Sequence, residues 1–273
     1  MSRSKLKILA IGAHPDDCES KCAGTAAKWA AKGHTVRFVS ATNGGSGHHE
    51  IAGHVLAQRR IAEAGAAARV IGIESQVLPI PTGQIEPILA YRWMFIRLIR
   101  EFGPDLILTH RPNDYHPDHR YTSQLVQDSS YLVTVPTAVP ETPHLRSMPV
   151  IMYMSDTFRK PIPFIPDVVI DIDGVMDKKI EMLHCHTSQV YEWLPYNRNV
   201  LDQVPEGERE RRTWLMGFMG YRSGQVADRY RQQLIDRYGE GRGKAVRFAE
   251  AFEACEYGAS LDADQVESLF GEM

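Results

Sequence analysis

The sequence predicts an α/β fold: a three-layer Rossmann-like sandwich with a mostly parallel sheet and helices on both faces. Two observations carry this expectation. Short β-rich runs alternate with alanine-rich, amphipathic stretches through the first half of the chain, and parallel neighbours need crossover helices between them. The first four runs also end in loops at 13–19, 42–50, 81–84 and 110–119, where an open sheet of this kind gathers its ligands beyond the carboxyl ends of the strands.

In chain order, LKILAIGA (6–13), TVRFVSAT (35–42), QVLPIP (76–81) and DLILTH (105–110) read as strands. Segments at about 19–32, 51–68 and 85–101 have apolar residues at helical spacing and supply the crossovers. VIMYMS (150–155) and DVVIDI (167–172) read as later strands, with the Pro-rich 135–149 segment as an ordered loop. A helix is expected at 174–186, and EGERERRTW (206–214) reads as a helix with a solvated face. A single domain over 1–273 is expected. Its 1–135 part forms the core with both motifs described below, and 136–273 adds later strands and C-terminal helices.

The 273 residues are 43% hydrophobic and 24% charged, with a formal net charge of −3 and both signs interspersed. No broad basic field exists to recruit nucleic acid or an anionic membrane. No run approaches the ~18 apolar residues of a membrane span, and MSRSKLKILA passes straight into a strand, so a cytoplasmic location is expected. The four cysteines have neither the density of a disulfide framework nor a CxxC pair. Cys18 and Cys22, four apart on one helix face, read as small buried thiols.

After the first strand a dinucleotide-binding protein would show GxGxxG, whose amides cradle a pyrophosphate. Here the turn is GAHPDDCE, which repels phosphate and welcomes a cation. His14 and Asp17 can supply a ring nitrogen and a carboxylate oxygen from one turn that Pro15 restricts. Asp16 would stay free to act on water, the plain alternative being that Asp16 or Asp17 caps the following helix. The fourth strand leads into HRPNDYHPDHR (110–120), with His110, Asp114, His116, Asp118 and His119 within ten residues. Two histidines, one carboxylate and an open position make a catalytic zinc set. His14, Asp17 and one histidine of the second loop would complete it, leaving Asp16, His116 and Asp118 for acid-base work and orientation.

With AHPDD at 13–17 and HPDH at 116–119, the chain resembles the PIG-L/LmbE-like de-N-acetylases, which remove acetyl groups from N-acetylglucosamine conjugates using zinc. GTAAKWAAKGHTVRFVSAT, RRIAEAGAAARVIGI, HTSQ (186–189) and FAEAF (248–252) extend the likeness, the last as a C-terminal tail. The resemblance implies one Zn2+ per subunit on His14, Asp17 and His119, with Asp16 as general base toward a metal-activated water. It implies that His116, held protonated and aimed by Asp118, stabilises the oxyanion or protonates the leaving amine. Arg60 would contact substrate, a helix-surface arginine being the alternative. The implied partner is a small-molecule glycoconjugate, and relatives are often homo-oligomers.

Several positions depart from the family. Cys18 and the Lys21–Gly24 run differ beside the proposed metal, and Thr82 stands where sugar-binding relatives often carry an acid. His48 and His49 read as solvent-exposed, and His110 as a strand-end residue behind the ligands. The competing functions are a metal-dependent amidase on a non-sugar amide, a phosphoesterase, and a metal- or carbohydrate-binding protein without turnover.

Overall fold

A computed structural model describes residues 5–271 and 273. The strands are β1 (Lys7–Gly12), β2 (Thr35–Ser40), β3 (Glu74–Val77), β4 (Leu106–Thr109), β5 (Val150–Met154), β6 (Val168–Asp171) and β7 (Ala249–Ala254). They form one seven-stranded sheet in the order β3-β2-β1-β4-β5-β7-β6. The pairs from β3 through β5 are parallel, and β7 runs antiparallel to both β5 and β6.

The helices are α1 (Asp17–Ala31), α2 (Gly53–Ile71), α3 (Leu89–Phe102), α4 (Pro117–Ser130), α5 (Met176–His184), α6 (Leu194–Asn197), α7 (Glu208–Leu215), α8 (Tyr221–Arg229), α9 (Arg231–Tyr238), α10 (Glu240–Ala245) and α11 (Ala263–Phe270). Two π-helical segments, Ser188–Trp193 and Met216–Gly220, lead into α6 and α8.

Alternation along β1 shows how the layers form. Ile8 and Ala10 face one apolar cluster with Cys22 and Trp29 of α1 and Ile180 and Leu183 of α5. Leu9 and Ile11 face the other, with Phe95 and Ile99 of α3 and Leu125 and Val126 of α4. Successive strand residues point to opposite faces, so a strand covered on both sides reads as a continuous apolar run. Each such fully buried aliphatic side chain contributes about 1.5–3 kcal/mol. A third cluster places Ala227 of α8 and Leu234 of α9 against Val169, Ala249 and Ala251.

Two expectations need correction. The third strand spans only Glu74–Val77 and not 76–81, because Pro79 and Pro81 have no N–H to donate to a ladder. FAEAF is no tail: it forms most of β7, inserted between β5 and β6. Glu250 and Phe252 share one face of that strand, and both are buried. Cys18 and Cys22 are buried free thiols, as expected. Among the described residues, no helix is long and apolar enough to cross a membrane.

Candidate metal centre and active site

The order of strands reverses between β1 and β4, with β2 and β3 on one side and β5 on the other. Loops diverge at such a switch point and leave a crevice beyond the strand ends. The turn after β1 and the loop after β4 carry the two motifs, so stretches about a hundred residues apart meet there. Gly12 ends β1 because a Cβ would come within 2.7 Å of the Asp17 Cβ. The chain can therefore fold straight back into α1.

Three donor atoms converge in the crevice. His14 Nδ1 lies 3.4 Å from Asp17 Oδ2 and 3.3 Å from His119 Nε2, and His119 Nε2 lies 3.5 Å from Asp17 Oδ2. Ligands about 2.1 Å from a tetrahedral ion stand roughly 3.4 Å apart, so this triangle suits one zinc-sized cation. The remote nitrogens are also committed. His14 Nε2–H donates to Asp118 Oδ2 at 3.2 Å and His119 Nδ1–H donates to Asp114 Oδ2 at 3.0 Å. Each imidazole thus turns its other nitrogen inward, the arrangement by which carboxylates orient metal-binding histidines.

The electrostatics favour positive charge. Burial opposes a protonated His14, yet hydrogen bonds to Asp118 and Asp17 prevail and raise its pKa to about 9. Burial likewise opposes the charge on Asp17, but the nearby His119 and His110 rings hold its carboxyl well below the usual range. His110 itself is buried and packs its ring 4.0 Å from that of His119. Desolvation, together with the His119 charge, lowers its pKa to about 4. Its Nε2 accepts the Ala13 N–H at 3.0 Å and faces Asp17 Oδ2 at 3.2 Å. Two overlapping groups, His14–His116–His119 and Asp17–His110–His119, could also hold an ion.

Asp16 stands apart from this triangle. Its φ of 140° lies where non-glycine residues rarely sit, and such strain typically costs about 1–3 kcal/mol. Buried Arg60 holds the turn in place, with Nη2 2.5 Å from the Pro15 carbonyl oxygen and 3.2 Å from Asp16 Oδ1. Burial raises the Asp16 pKa, and Arg60 opposes that rise. Arg60 is only 2% exposed, so it is neither a helix-surface arginine nor free to be spent on substrate alone.

The expected role of Asp118 is also corrected. Its carboxylate reaches His14 Nε2 and the Gly83 N–H, the latter at 2.8 Å. It does not reach the ring of His116. The link runs the other way: His116, the N-cap of α4, accepts the Asp118 backbone N–H on Nδ1 at 3.1 Å. Burial and the neighbouring His14 and His119 lower the His116 pKa. Accepting that N–H leaves Nδ1 without a proton, so the ring proton of His116 sits on Nε2 rather than on both nitrogens.

His48 is also not solvent-exposed. Its side chain is 1% exposed, with Nε2–H donating to Glu192 at 2.8 Å. Its Nδ1 accepts the Glu50 N–H, while Arg59 Nη1 pairs with Glu192 at 2.8 Å. His49 stacks on Tyr196 with ring centroids 4.0 Å apart. The role of Asp114 was missed. An acid just before a helix start is a common cap, and only the fold turns it toward His119.

The site opens into a cavity of about 600 Å³, which His14, Asp16, His116 and His119 share with Thr82, Trp193 and one face of α8. Pockets of this size hold small organic ligands.

Fold and site together describe an α/β protein with a candidate metal-binding His/Asp cluster at the switch point of a mostly parallel sheet. Residues 9–130 match the model of the PIG-L family, described as GlcNAc-PI de-N-acetylase. It is similar to the diacetylchitobiose deacetylase of Thermococcus kodakarensis, at 27% identity over 71% of this chain and 76% of that protein. The 4-oxalmesaconate hydratase of Pseudomonas putida is 24% identical over 77% of this chain and 84% of its own length. Among solved structures, the N,N'-diacetylchitobiose deacetylase of Pyrococcus horikoshii superposes with a TM-score of 0.70 at 22% identity, covering 96% of this chain and 89% of that one. The latter likeness shows the fold.

Proposed function

We propose that this chain is a zinc-dependent hydrolase that removes the acetyl group from an N-acetylated amino sugar. His14, Asp17 and His119 would hold the ion. The convergence of His14 Nδ1, Asp17 Oδ2 and His119 Nε2 within 3.3–3.5 Å, beside a carboxylate on a strained turn, carries the proposal. The similarity to deacetylases supports the choice of an N-acetyl bond. Zinc bound there supplies a Lewis acid that acidifies water and polarises a carbonyl.

Asp16 then takes the proton of the attacking water on its carboxylate. Its raised pKa suits that acceptor role better than the deeply ionised Asp17. His116 Nε2–H donates to the oxygen that gains charge at the acyl carbon. A fixed donor of this kind commonly lowers the barrier by about 3 kcal/mol. Protonated Asp16 would return its proton to the departing amine. Asp114 and Asp118 act through the ligand histidines and touch no reacting atom.

The test is release of free amine from N-acetylglucosamine and its glycosides after chelation and stepwise return of zinc. Activity should recover at about one ion per chain. Asp16→Asn should keep the metal and lose at least ~10²-fold in kcat, whereas His14→Ala should lose the metal. Zinc-loaded protein that leaves every N-acetyl amide intact, or that requires two ions and cleaves phosphoesters, would overturn the assignment.

A further inference from the structure

We propose that the cavity-facing side of α8 is a subsite for an anionic group, a carboxylate, sulfate or phosphate, carried by the substrate away from its reacting amide. The proposal deepens the amino-sugar assignment and rests on it for the identity of the rest of the ligand.

Helix α8 presents Arg222, Gln225, Val226 and Arg229 to the same cavity as His14 and Asp16. Their spacing of three, four and seven is that of one helix face, and it places the two arginines about 10 Å apart along the axis. The helix is anchored on another side, because Ala227 is buried and packs against Ala249 and Ala251 of β7. The arginines therefore project from a fixed wall rather than from a loose loop.

Among the described residues, neither Arg222 nor Arg229 forms an ion pair. Arg229 Nη1 reaches only the Asp156 backbone carbonyl, at 3.4 Å. Arg222 lies beside the Tyr221 hydroxyl. Neither arginine pairs with a carboxylate of the cavity wall, although Asp156 keeps one buried oxygen, Oδ2, without a hydrogen-bond partner. Asp114 accepts from the His116 N–H and from His119, at 2.9 and 3.0 Å. Asp156 accepts from Arg111 at 3.0 Å and from the Phe158 N–H at 2.9 Å. Lys21, also in the cavity wall, adds positive charge while its Nζ donates to the Ser155 carbonyl at 2.8 Å.

The cavity is thus polarised, with a cation-binding His/Asp centre at one side and two unpaired guanidinium groups at another. Guanidinium groups are weakly hydrated and match the paired oxygens of carboxylate, sulfate and phosphate. A neutral sugar would leave both without a charged partner.

The test is calorimetric binding of reaction products, which cannot turn over, to wild-type protein and to the Arg222→Gln/Arg229→Gln double variant. The probes are glucosamine, its 6-sulfate, its 6-phosphate and muramic acid, which carries a carboxylate, with succinate as a non-sugar anion. At least one anionic sugar should bind wild type about ten-fold more tightly than glucosamine, an advantage that shrinks with added salt. The double variant should lose most of that advantage while its affinity for glucosamine stays the same. Which anion gains most identifies the group.

Equal binding of neutral and anionic sugars, or an advantage that survives in the double variant, would overturn the subsite. So would the absence of any binding by sugar or succinate. If succinate alone binds and the double variant weakens it, the anion subsite stands and the amino-sugar assignment falls.

Discussion

Asp16 and Asp17 are neighbours in the chain with opposite environments. Asp17 sits among imidazoles that favour its charge, while burial works against the charge of Asp16 despite Arg60. Carboxylates separated in this way can divide the labour of ligand and base. Arg60 becomes the residue to probe, since it bonds the Pro15 carbonyl and faces Asp16 while lining the same cavity. If it acts by positioning Asp16, Arg60→Ala should lower kcat by about ten-fold or more with little change in KM, because small misplacements of a catalytic group are costly. Arg60→Lys keeps the charge but loses the two-pronged contact, so its kcat should fall between the two. Steady-state kinetics with metal content measured in parallel provides the check. A rise in KM alone would make Arg60 a substrate contact instead.

At the scale of elements, α1 is held from two sides. Gly24 lets it approach the end of β6, since a Cβ there would lie 2.8 Å from the Ile172 side chain. Glu250 of β7 accepts the Gly24 and Thr25 N–H groups at 3.0 and 2.7 Å and pairs with Lys179 of α5 at 2.6 Å, all buried. Gly24→Ala should destabilise the fold by about 1–3 kcal/mol through overpacking. Lys179→Met, which strands a buried carboxylate, should cost about 3–5 kcal/mol. Urea unfolding followed by circular dichroism measures both, and wild-type stability in the Lys179 variant would show that Glu250 does not depend on that cation.

These same elements mark where the sequence was legible. Apolar runs revealed β1, β2, β4, β5 and β6, and the acid- and histidine-rich ends of β1 and β4 pointed to the candidate site. Strand β7 escaped notice because its buried face includes Glu250, whose partner Lys179 lies 71 residues away. The orientation of Asp118 was equally invisible. A backbone N–H bonded to His116 turns its carboxylate toward His14 across the crevice, which no local spacing records.

For the molecule as a whole, the proposed ion would join the turn after β1 to the first turn of α4. A ligand bound only by the native state stabilises it by about 2.7 kcal/mol at about a hundred times its Kd. For a chain of this size that corresponds to roughly 5–10 °C in Tm. Thermal unfolding should therefore shift upward by that amount on adding zinc to chelated protein, and His14→Ala should not respond. An identical shift in the variant would place the bound zinc somewhere other than on His14.

The meeting of the two motifs at the β1/β4 boundary also has a consequence for how the protein is made. During synthesis the first two donors emerge long before His119, with β2, α2, β3 and α3 between them. Until β4 docks beside β1, the nascent chain holds only part of the donor set. Metal capture would then act as a late checkpoint, reporting that the centre of the sheet has closed.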